Sequence, residues 1–449
     1  MRGLASRLSG SGLGARALRS SAFALLGHGG SQLLRLASNL ILTRLLFPEA
    51  FGMMALVQVF MTGLMMFSDL GITPAILQSR RGDDQDFLNT AWSIQVVRGF
   101  ALWFGAGLLA LPVAAFYAAP PLAQLLPVAA LSLVILGFTP TRAESANRHL
   151  RLGRVTLIDL ATQLIGIAAA VVLALLLRSV WALVWSGLVS ALAQVILYDL
   201  FLPGPRNRFR FERRAAKELI GFGKWIFLST LAGFLYLQGD KLILGRFLSL
   251  DLLGIYNIGF FLASFPVLLG LALVRKIMIP LYRERPPGES AENFRKFRQL
   301  RLALSAGLLA LLAALALGGD WLVGLLYDPR YGRAGAVVVL VAVIQMLPAI
   351  VLTYDQSALA AGDSKRFFIL SLARAVLSLA GLLAGVWLAG LAGALAGQGV
   401  AALLTYPVVA WLAQRHGVWD ALHDAVMAAF ALLVAALSIW LNWGALTAL

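Results

Sequence analysis

Apolar segments long enough to cross a lipid bilayer make up most of this sequence. A spanning helix needs about 20 consecutive, mostly apolar residues. About thirteen candidate spans lie near residues 21–46, 52–78, 88–117, 121–141, 154–177, 180–202, 219–244, 253–280, 299–325, 335–360, 366–389, 391–413 and 424–444. Because a helix satisfies its backbone polar groups internally, this pattern predicts an all-α polytopic membrane protein. Residues 52–78 are long for one span, so we expect a kink at Pro74 or a tilted helix.

The composition supports this prediction and excludes several kinds of chemistry. Hydrophobic residues form 60% of the chain and charged residues 13%, against roughly 45–50% and about 25% in soluble domains. Cysteine is absent, which excludes disulfides, thiolate metal sites and cysteine nucleophiles. The four histidines show no metal-ligand spacing, and no P-loop pattern occurs. We therefore predict neither a metal site nor a cofactor.

The basic residues predict the orientation of the chain in the membrane. Of the 37 Lys and Arg residues, 28 fall in the N-terminal tail and alternate loops, six fall in the opposite loops, and three fall within spans. Cytoplasmic loops carry the excess of Lys and Arg, so the N-terminus is predicted to be cytoplasmic, with residues 1–20 as a retained basic tail. The net charge of +16 then reflects topology, and we do not predict nucleic-acid binding.

A short motif occurs twice, half a chain apart. The stretch "LTRLLFPEAFGMMAL" begins at Leu42, and "LGRFLSLDLLGIYNI" begins at Leu244. At a constant offset of 202 the copies share Arg44, Glu49 and Gly52 with Arg246, Asp251 and Gly254. A cation that ends one helix and an acid that starts the next complement the helix dipoles. We therefore predict that each copy builds an outward-facing helical hairpin, in preference to contacting a substrate.

The repeat also predicts the domain organisation. Six spans separate the copies, and an even number preserves orientation, so the repeats are parallel about an axis along the membrane normal. This arrangement predicts a six-helix bundle over 21–202, a basic cytoplasmic linker over 203–218, a second six-helix bundle over 219–413, and a loop with one extra helix over 414–449. Two bundles that face each other across a cavity are a common transporter design.

Three stretches resemble a known family. "ILTRLLFPEAFGMMALVQVF", "DLGITPAILQ" and "GDKLILGRFLSLDLLGIYNIGFF" are similar to the oligosaccharide flippases of the polysaccharide transporter family (Wzx type). The superfamily also contains the multidrug and toxin extruders and the lipid II flippase. The resemblance covers about residues 20–415. Members commonly have twelve or fourteen helices, so a thirteenth span leaves the C-terminal end of the fold open.

The resemblance implies a specific activity. It implies export of a polyprenyl-diphosphate-linked oligosaccharide from the cytoplasmic to the outer leaflet of the inner membrane, by alternating access around a cationic cavity. The product would serve exopolysaccharide, capsule or O-antigen (lipopolysaccharide) synthesis. The implied partners are membrane lipids, a polysaccharide polymerase and glycosyltransferases.

Three arginines within predicted spans are candidates for binding a diphosphate. Charges inside spans are costly and usually face a polar cavity, and the planar guanidinium suits a diphosphate better than an ammonium group does. The candidates are Arg35, Arg98 and Arg374, with Gln32, Asn39 and Gln95 as polar neighbours on the same helices. The alternative for each arginine is snorkelling or a structural pair, and for each amide it is helix packing.

Coupling to H⁺ or Na⁺ would require a carboxylate in or near a span. The candidates are Asp69, Asp159 and Asp240. Asp69 begins a turn-like segment, and Asp240 could instead be ion-paired with its neighbour Lys241. The sequence leaves coupling open.

Two other functions remain as alternatives. A multidrug extruder of the same fold would favour acids in its cavity, whereas the deep charges here are arginines. A membrane-embedded polymerase or ligase needs large outward loops with catalytic groups. The longest outward loop, "YDPRYGRAG", contains one acid, no His and no Ser. We therefore do not predict an enzyme.

Overall fold

The protein is all-helical over the part that the computed structural model describes, which is residues 13–68, 71–223, 227–284 and 286–449. In these ranges the regular structure consists of α-helices and two short 3₁₀ turns, without a β-strand. The predicted all-α fold is confirmed for these residues. Contacts between Cα atoms divide the chain into two compact units.

Unit 1 contains the chain up to Leu46 and from Leu56 to Leu231. Its helices are α1 (Leu13–Leu45), most of α2 (Pro48–Phe67), α3 (Ile72–Gln78), α4 (Gln85–Phe116), α5 (Leu122–Gly137), α6 (Arg142–Arg148), α7 (Leu152–Leu177), α8 (Trp181–Phe201) and α9 (Arg213–Gly223). Among them, α4 packs against α5, α7 against α8, and α1 against α7. The predicted linker over 203–218 thus runs into the helix α9, which belongs to unit 1.

Unit 2 contains residues Phe47–Ala55 and the chain from Ala232 onwards. Its helices are most of α10 (Phe227–Phe247), α11 (Leu250–Glu284), α12 (Ala291–Leu326), α13 (Ala334–Val351), α14 (Asp355–Ala360), α15 (Ser364–Arg415), α16 (Ala421–Leu441) and α17 (Trp443–Leu446). The extra helix predicted near 424–444 is α16, which packs on α12 and α13. Its far end is held by Asn442, whose side-chain amide donates to the carbonyls of Ala316 and Leu317 at 3.4 Å.

Nine helical segments among the described residues are long and apolar enough to cross a membrane, or ten if the bent pair of α5 and α6 forms one span. One of the nine, Lys365–Arg415, contains two of the predicted spans. The predicted span 21–46 falls on α1, and the described residues of 219–244 fall on α9 and α10. None of these three helices is among the nine. The nine described segments support a polytopic membrane protein.

The prediction of one helix over residues 52–78 is wrong. Helix α2 ends at Phe67, and α3 is a separate helix that begins at Ile72. Gly71, with φ of 63°, precedes α3 in the left-handed region. Pro74 lies in the first turn of α3, where the missing N–H needs no intrahelical partner. Pro74 therefore lies near the start of a separate helix and does not kink a continuous helix.

The repeated motif forms a reciprocal helix crossing inside unit 2. A methyl group placed on Gly52 of α2 would lie 1.9 Å from the carbonyl oxygen of Leu250, and one on Gly254 of α11 would lie 1.9 Å from that of Pro48. Gly52 and Gly254 are equivalent positions at the offset of 202 residues, and so are Pro48 and Leu250. A contact in which each copy meets the same residues of the other is locally two-fold symmetric. The motif is repeated because the two backbones touch at its glycines.

A second close approach lies within α15. The helix reverses at Ala389 and Gly390, where φ is −148° and 58°. Its arms, α15a (364–388) and α15b (391–415), meet through four glycines. A methyl group placed on any of these glycines would meet the carbonyl oxygen of the glycine opposite it. The opposing pairs are Gly381 with Gly397 and Gly385 with Gly393. Residue numbers rise along one arm as they fall along the other, so the arms are antiparallel, as the predicted spans 366–389 and 391–413 require.

Residues 206–212 of the predicted linker are held along the first turns of α4. The backbone N–H groups of Arg208, Arg210 and Glu212 donate to side-chain oxygens of Asn89, Ser93 and Thr90, at 3.0, 3.0 and 3.1 Å. The three acceptors share one helical face. The linker backbone is therefore ordered by polar side chains of a spanning helix.

Candidate functional site

Helix α1 carries the candidate diphosphate ligand Arg35 in its C-terminal half. Ten residues separate Arg35 from the end of α1 at Leu45, a rise of about 15 Å, which is half of a hydrocarbon core of about 30 Å. Its side chain is exposed, and Gln32 and Asn39 are half-buried. Since residues three and four apart share a helical face, these groups form one polar stripe of α1 in unit 1.

Arg98 of α4 binds the C-terminal end of α2. Its Nε donates to Ser68 Oγ at 2.9 Å, and its Nη2 donates to the Met65 carbonyl at 2.8 Å. A cation at this position complements the negative end of the helix dipole and satisfies a carbonyl that lacks an intrahelical partner. These contacts favour the structural role that the sequence left open for Arg98.

Gln95 has a similar position at the end of α5. Its side-chain amide lies within 3.4 Å of the carbonyl oxygens of Leu136, Gly137 and Thr139. The amide thus holds the last carbonyls of α5 against α4. Gln95 and Arg98 lie on one helix but serve two different helix ends.

Arg374 of α15a forms an ion pair with Asp355, the first residue of α14. The pair is bidentate, with Nη2 2.9 Å from Asp355 Oδ1 and Nη1 bonded to the other oxygen. Both side chains are largely buried, at 20% and 11% exposure. Asp355 lies in the predicted span 335–360, and the sequence reasoning missed it. A carboxylate within a span was the available signal, since buried charges are expected to be paired.

The carboxylates considered for ion coupling have different surroundings. Asp69 lies outside the described residues. Asp159 of α7 accepts a hydrogen bond from the Tyr198 hydroxyl at 2.6 Å, and Asp240 of α10 accepts one from Tyr256 at 2.7 Å. The second oxygen of Asp240 is buried and finds no hydrogen-bond partner in the described part of the chain.

Lys241 does not neutralise Asp240. Its Nζ lies 3.3 Å from Gln238 Oε1 and 5.7 Å from the ring centre of Phe260. No ion pair joins Lys241 to Asp240 among the described residues. The alternative prediction, an ion pair between Asp240 and Lys241, is therefore not supported by the geometry.

A buried polar network in unit 2 was missed from the sequence. At its centre, Asp424 accepts hydrogen bonds from the hydroxyls of Tyr354 and Tyr406 at 2.8 and 3.0 Å. His423 Nδ1 lies 2.9 Å from the same carboxylate. The guanidinium of Arg301, only 2% exposed, lies 4.4 Å from the ring centre of Tyr354. The network joins α12, the 351–355 break after α13, α15b and α16.

A second ion pair holds the start of α16 next to this network. Asp420 caps α16 by accepting from the His423 N–H, and it pairs bidentately with Arg298 of α12. Burial alone would raise the pKa of Asp420, but the hydrogen bonds from Arg298 and the His423 N–H outweigh it and lower that pKa. Arg298 thus anchors the start of α16.

At the end of unit 1 that is predicted to be cytoplasmic, Arg81 lies at the centre of a cluster of ion pairs. Its guanidinium binds Asp84 and Glu212, with distances of 3.0 Å from Nε to Asp84 and 2.9 Å from Nη1 to Glu212. These hydrogen bonds lower the pKa of both carboxyl groups. The pairing joins the turn before α4 to the linker before α9.

The polar groups described above indicate binding and no covalent chemistry. Within the described residues, no group of three or more His, Asp and Glu side chains could hold a metal ion. Arg98, Gln95 and Arg374 bind protein groups. The side chains of Arg35, Gln32 and Asn39 carry donors and acceptors of the kind that suit an anionic, hydroxyl-rich ligand.

These features define a polytopic, all-helical membrane protein with polar groups inside its spans. The profile of the family described as "Polysaccharide biosynthesis protein" matches residues 41–333. The chain belongs to this family, which confirms the family resemblance inferred from its three sequence stretches.

Two relatives illustrate the family. The succinoglycan biosynthesis transport protein ExoT of Rhizobium meliloti (strain 1021) is 26% identical over 68% of this chain and 60% of its own length. The lipopolysaccharide biosynthesis protein WzxC of Escherichia coli (strain K12) is 21% identical over 56% of this chain and 51% of its own. The chain thus spans little more than half the length of these relatives.

Solved structures share the fold. The lipid II flippase MurJ in an inward closed conformation superposes with a TM-score of 0.66 at 12% identity, covering 94% of this chain and 92% of that one. An inward-facing multidrug resistance transporter of the MATE family superposes with a TM-score of 0.60 at 16% identity. The superposition covers 86% of this chain and 94% of that transporter. At these identities the similarity concerns the fold and leaves the cargo open.

Proposed function

We propose that this protein is a flippase for a polyprenyl-diphosphate-linked oligosaccharide, which it moves from the cytoplasmic to the outer leaflet of the inner membrane by alternating access. The family and the names of ExoT and WzxC support a transport role in polysaccharide biosynthesis. We propose the lipid-linked repeat unit as cargo and a polymerase with glycosyltransferases as neighbours in the pathway. The N-terminus is proposed to be cytoplasmic.

The observation that carries this proposal is the exposed stripe on α1. A diphosphate and its sugars must cross the hydrocarbon core, while the lipid tail can remain in it. Arg35 places an exposed guanidinium ten residues before the end of α1, and a charge within a predicted span is costly and usually faces a polar cavity. Gln32 and Asn39 on the same face add the donors and acceptors that sugar hydroxyls require. Acidic groups suited to cationic drugs are not part of this stripe.

The short outward connections argue against an enzyme. Among the described helices, the longest predicted outward connection runs from Leu326 to Ala334, and it holds a 3₁₀ turn over Pro329–Tyr331. Asp328 caps that turn and binds Arg330, and Tyr331 is buried. Its polar side chains are thus used in folding the loop.

The proposal is tested in cells that lack the protein. We expect a complete lipid-linked repeat unit to accumulate in the inner leaflet, and expression of the gene to reverse this. Extraction of the polyprenyl-diphosphate sugars, mass analysis and leaflet-specific labelling measure the outcome. A normal leaflet distribution in cells without a second flippase would contradict the proposal and favour an extruder of small molecules.

Replacement of Arg35 by alanine is expected to reduce transport by about 10- to 100-fold, because a hydrogen bond to a charged group contributes about 1.5–3 kcal/mol. Arg35→Lys should restore part of the rate, since it keeps the charge and loses the planar fork. Transport of the labelled lipid into the outer leaflet of proteoliposomes gives the rate. Arg44→Ala, at the outer end of the same helix, is the matched control. Equal rates for Arg35→Ala and Arg44→Ala at equal abundance would make Arg35 a structural residue.

For ion coupling we propose Asp240, because its unpartnered buried oxygen is available to bind a proton or a cation. Asp240→Asn is expected to remove the dependence of transport on a Na⁺ or H⁺ gradient and leave folding intact, since the amide keeps the acceptor for Tyr256. Transport is compared in vesicles with and without each gradient. Asp159→Asn is the control, and gradient-dependent transport by Asp240→Asn would exclude this carboxylate.

A further inference from the structure

A basic cavity lies at the predicted cytoplasmic end of unit 1. Its volume is about 650 Å³, and it opens where α6, the start of α7 and the end of α8 meet. Its lining includes Arg142, His149, Arg151 and Arg154, and no described residue of the lining is acidic. The lining residue Leu202 packs with Ile158 of α7 and Tyr198 of α8 in a small apolar cluster.

The charge of two of these arginines is uncompensated. Arg142 pairs with Asp199 and donates to the Leu202 carbonyl at 2.8 Å. His149 lies 2.8 Å from Asp83. In contrast, Arg151 and Arg154 are exposed and form no ion pair with any described residue. Two cationic side chains are thus available to an anion in the cavity.

Two further features of the lining favour an anion. Arg142 is 8% exposed, and its buried Nε–H finds no acceptor within the described ranges. No side chain caps the N-terminus of α7, whose first turn has no acidic residue and includes the lining residue Gly153. The positive end of the helix dipole therefore adds to the charge of the arginines.

Exposed apolar side chains continue from the cavity along the spanning helices. Leu157, three residues after Arg154, is 62% exposed, and Leu200 and Phe201, just before Leu202, are also exposed. A polar, cationic cavity next to such a surface matches a molecule with a phosphate head and a long apolar chain. Free inorganic phosphate would use only the polar half.

We propose that the basic cavity binds the phosphate or diphosphate head of a membrane lipid from the cytoplasmic leaflet, with the lipid chain along the exposed apolar side chains of α7 and α8. Arg151 and Arg154 contact the phosphate oxygens, and the start of α7 adds its dipole. The lipid is either a polyprenyl diphosphate or an anionic phospholipid, which have the phosphate in common. The inference requires only this cavity, and it stands if the cargo proposed above is wrong.

The test measures lipid binding by the full-length protein, without transport. Wild type and the double variant Arg151→Gln/Arg154→Gln are reconstituted in phosphatidylcholine nanodiscs, and binding of fluorescent polyprenyl diphosphate or phosphatidylglycerol is titrated. Each cation near a lipid headgroup contributes about 1 kcal/mol, so the double variant should bind about thirtyfold more weakly. The matched control is Arg213→Gln/Arg214→Gln, which removes two exposed arginines of α9 on the same predicted side.

The outcomes separate the sources of the phosphate. Weaker binding of polyprenyl diphosphate alone would assign the cavity to the prenyl lipid, and weaker binding of both lipids would assign it to lipid phosphates in general. In both cases the control should bind as wild type does. Equal losses in the double variant and its control, or no loss in either, would overturn the proposal. Inorganic phosphate should compete poorly, and full competition by it would also overturn the lipid assignment.

Discussion

Replacement of Gly254 by leucine is expected to prevent the protein from accumulating in folded form. Even the first carbon of the new side chain would meet the Pro48 carbonyl at 1.9 Å, and a backbone atom cannot move aside as a flexible side chain can. Gly254→Ala should already destabilise the fold by roughly 1–3 kcal/mol or more, the usual cost of overpacking. The yield and thermal midpoint of detergent-purified protein measure both effects.

Gly307 provides the control for this prediction. It lies in α12, in the same unit, and nothing lies within 4 Å of a methyl placed on it. Gly307→Ala should be neutral or stabilising, because alanine favours a helix over glycine by about 1 kcal/mol. The variant Gly52→Ala/Gly254→Ala should cost less than the sum of its single changes, since one methyl already separates the helices. Wild-type stability of Gly254→Ala would show that the crossing is not tight.

Removal of the Asp424 carboxylate is expected to have the second largest effect. Asp424→Ala would leave the hydroxyls of Tyr354 and Tyr406 without their acceptor. It would also remove a negative charge from the network that contains the buried Arg301, whose guanidinium lies against the ring of Tyr354. Breaking a buried charge network by removal of one partner costs about 3–5 kcal/mol. We expect a lower thermal midpoint and greater protease sensitivity in the loop between α15 and α16.

A double-mutant cycle distinguishes the network from simple packing. Arg301→Met/Asp424→Leu replaces both charges by apolar side chains, which is often neutral at a buried pair. Its free energy of unfolding should therefore exceed the value expected from the sum of the two single changes by about 1–3 kcal/mol. Strict additivity would mean that Arg301 and Asp424 are not coupled. Asp328→Ala, in the connection between α12 and α13, controls for the loss of an acid elsewhere in unit 2.

The sequence was sufficient for the features that depend on regular periodicity. The apolar segments other than 52–78 predicted the helices, and the predicted spans 366–389 and 391–413 meet where α15 reverses. The repeated motif predicted a helix end followed by a helix start in each copy. Arg44 and Arg246 lie in last turns, and Glu49 and Asp251 lie in first turns. Such features are local, so the residues that determine them are close in sequence.

The partners of buried polar groups could not be predicted in the same way. Arg374 and Asp355 are 19 residues apart and meet only because the chain reverses between α14 and α15a. Arg301 and Asp424 lie on helices more than a hundred residues apart. Similarly, Gln95 and Arg98 were predicted to face a cavity, but their side chains bind the ends of α5 and α2. A sequence does not indicate which helix ends will contact α4. Whether a polar group in a span serves a ligand or another helix depends on tertiary contacts.

The glycine-lined hairpin of α15 has a consequence for how the protein enters the membrane. Only Ala389 and Gly390 interrupt the helical dihedral angles between its arms, so the arms cannot be threaded into the bilayer far apart in time. The connecting turn carries no charge, and its transfer across the hydrocarbon core is therefore inexpensive. With backbones in contact, no lipid separates the arms. We therefore expect the two arms of α15, about fifty residues together, to enter the bilayer as one antiparallel pair.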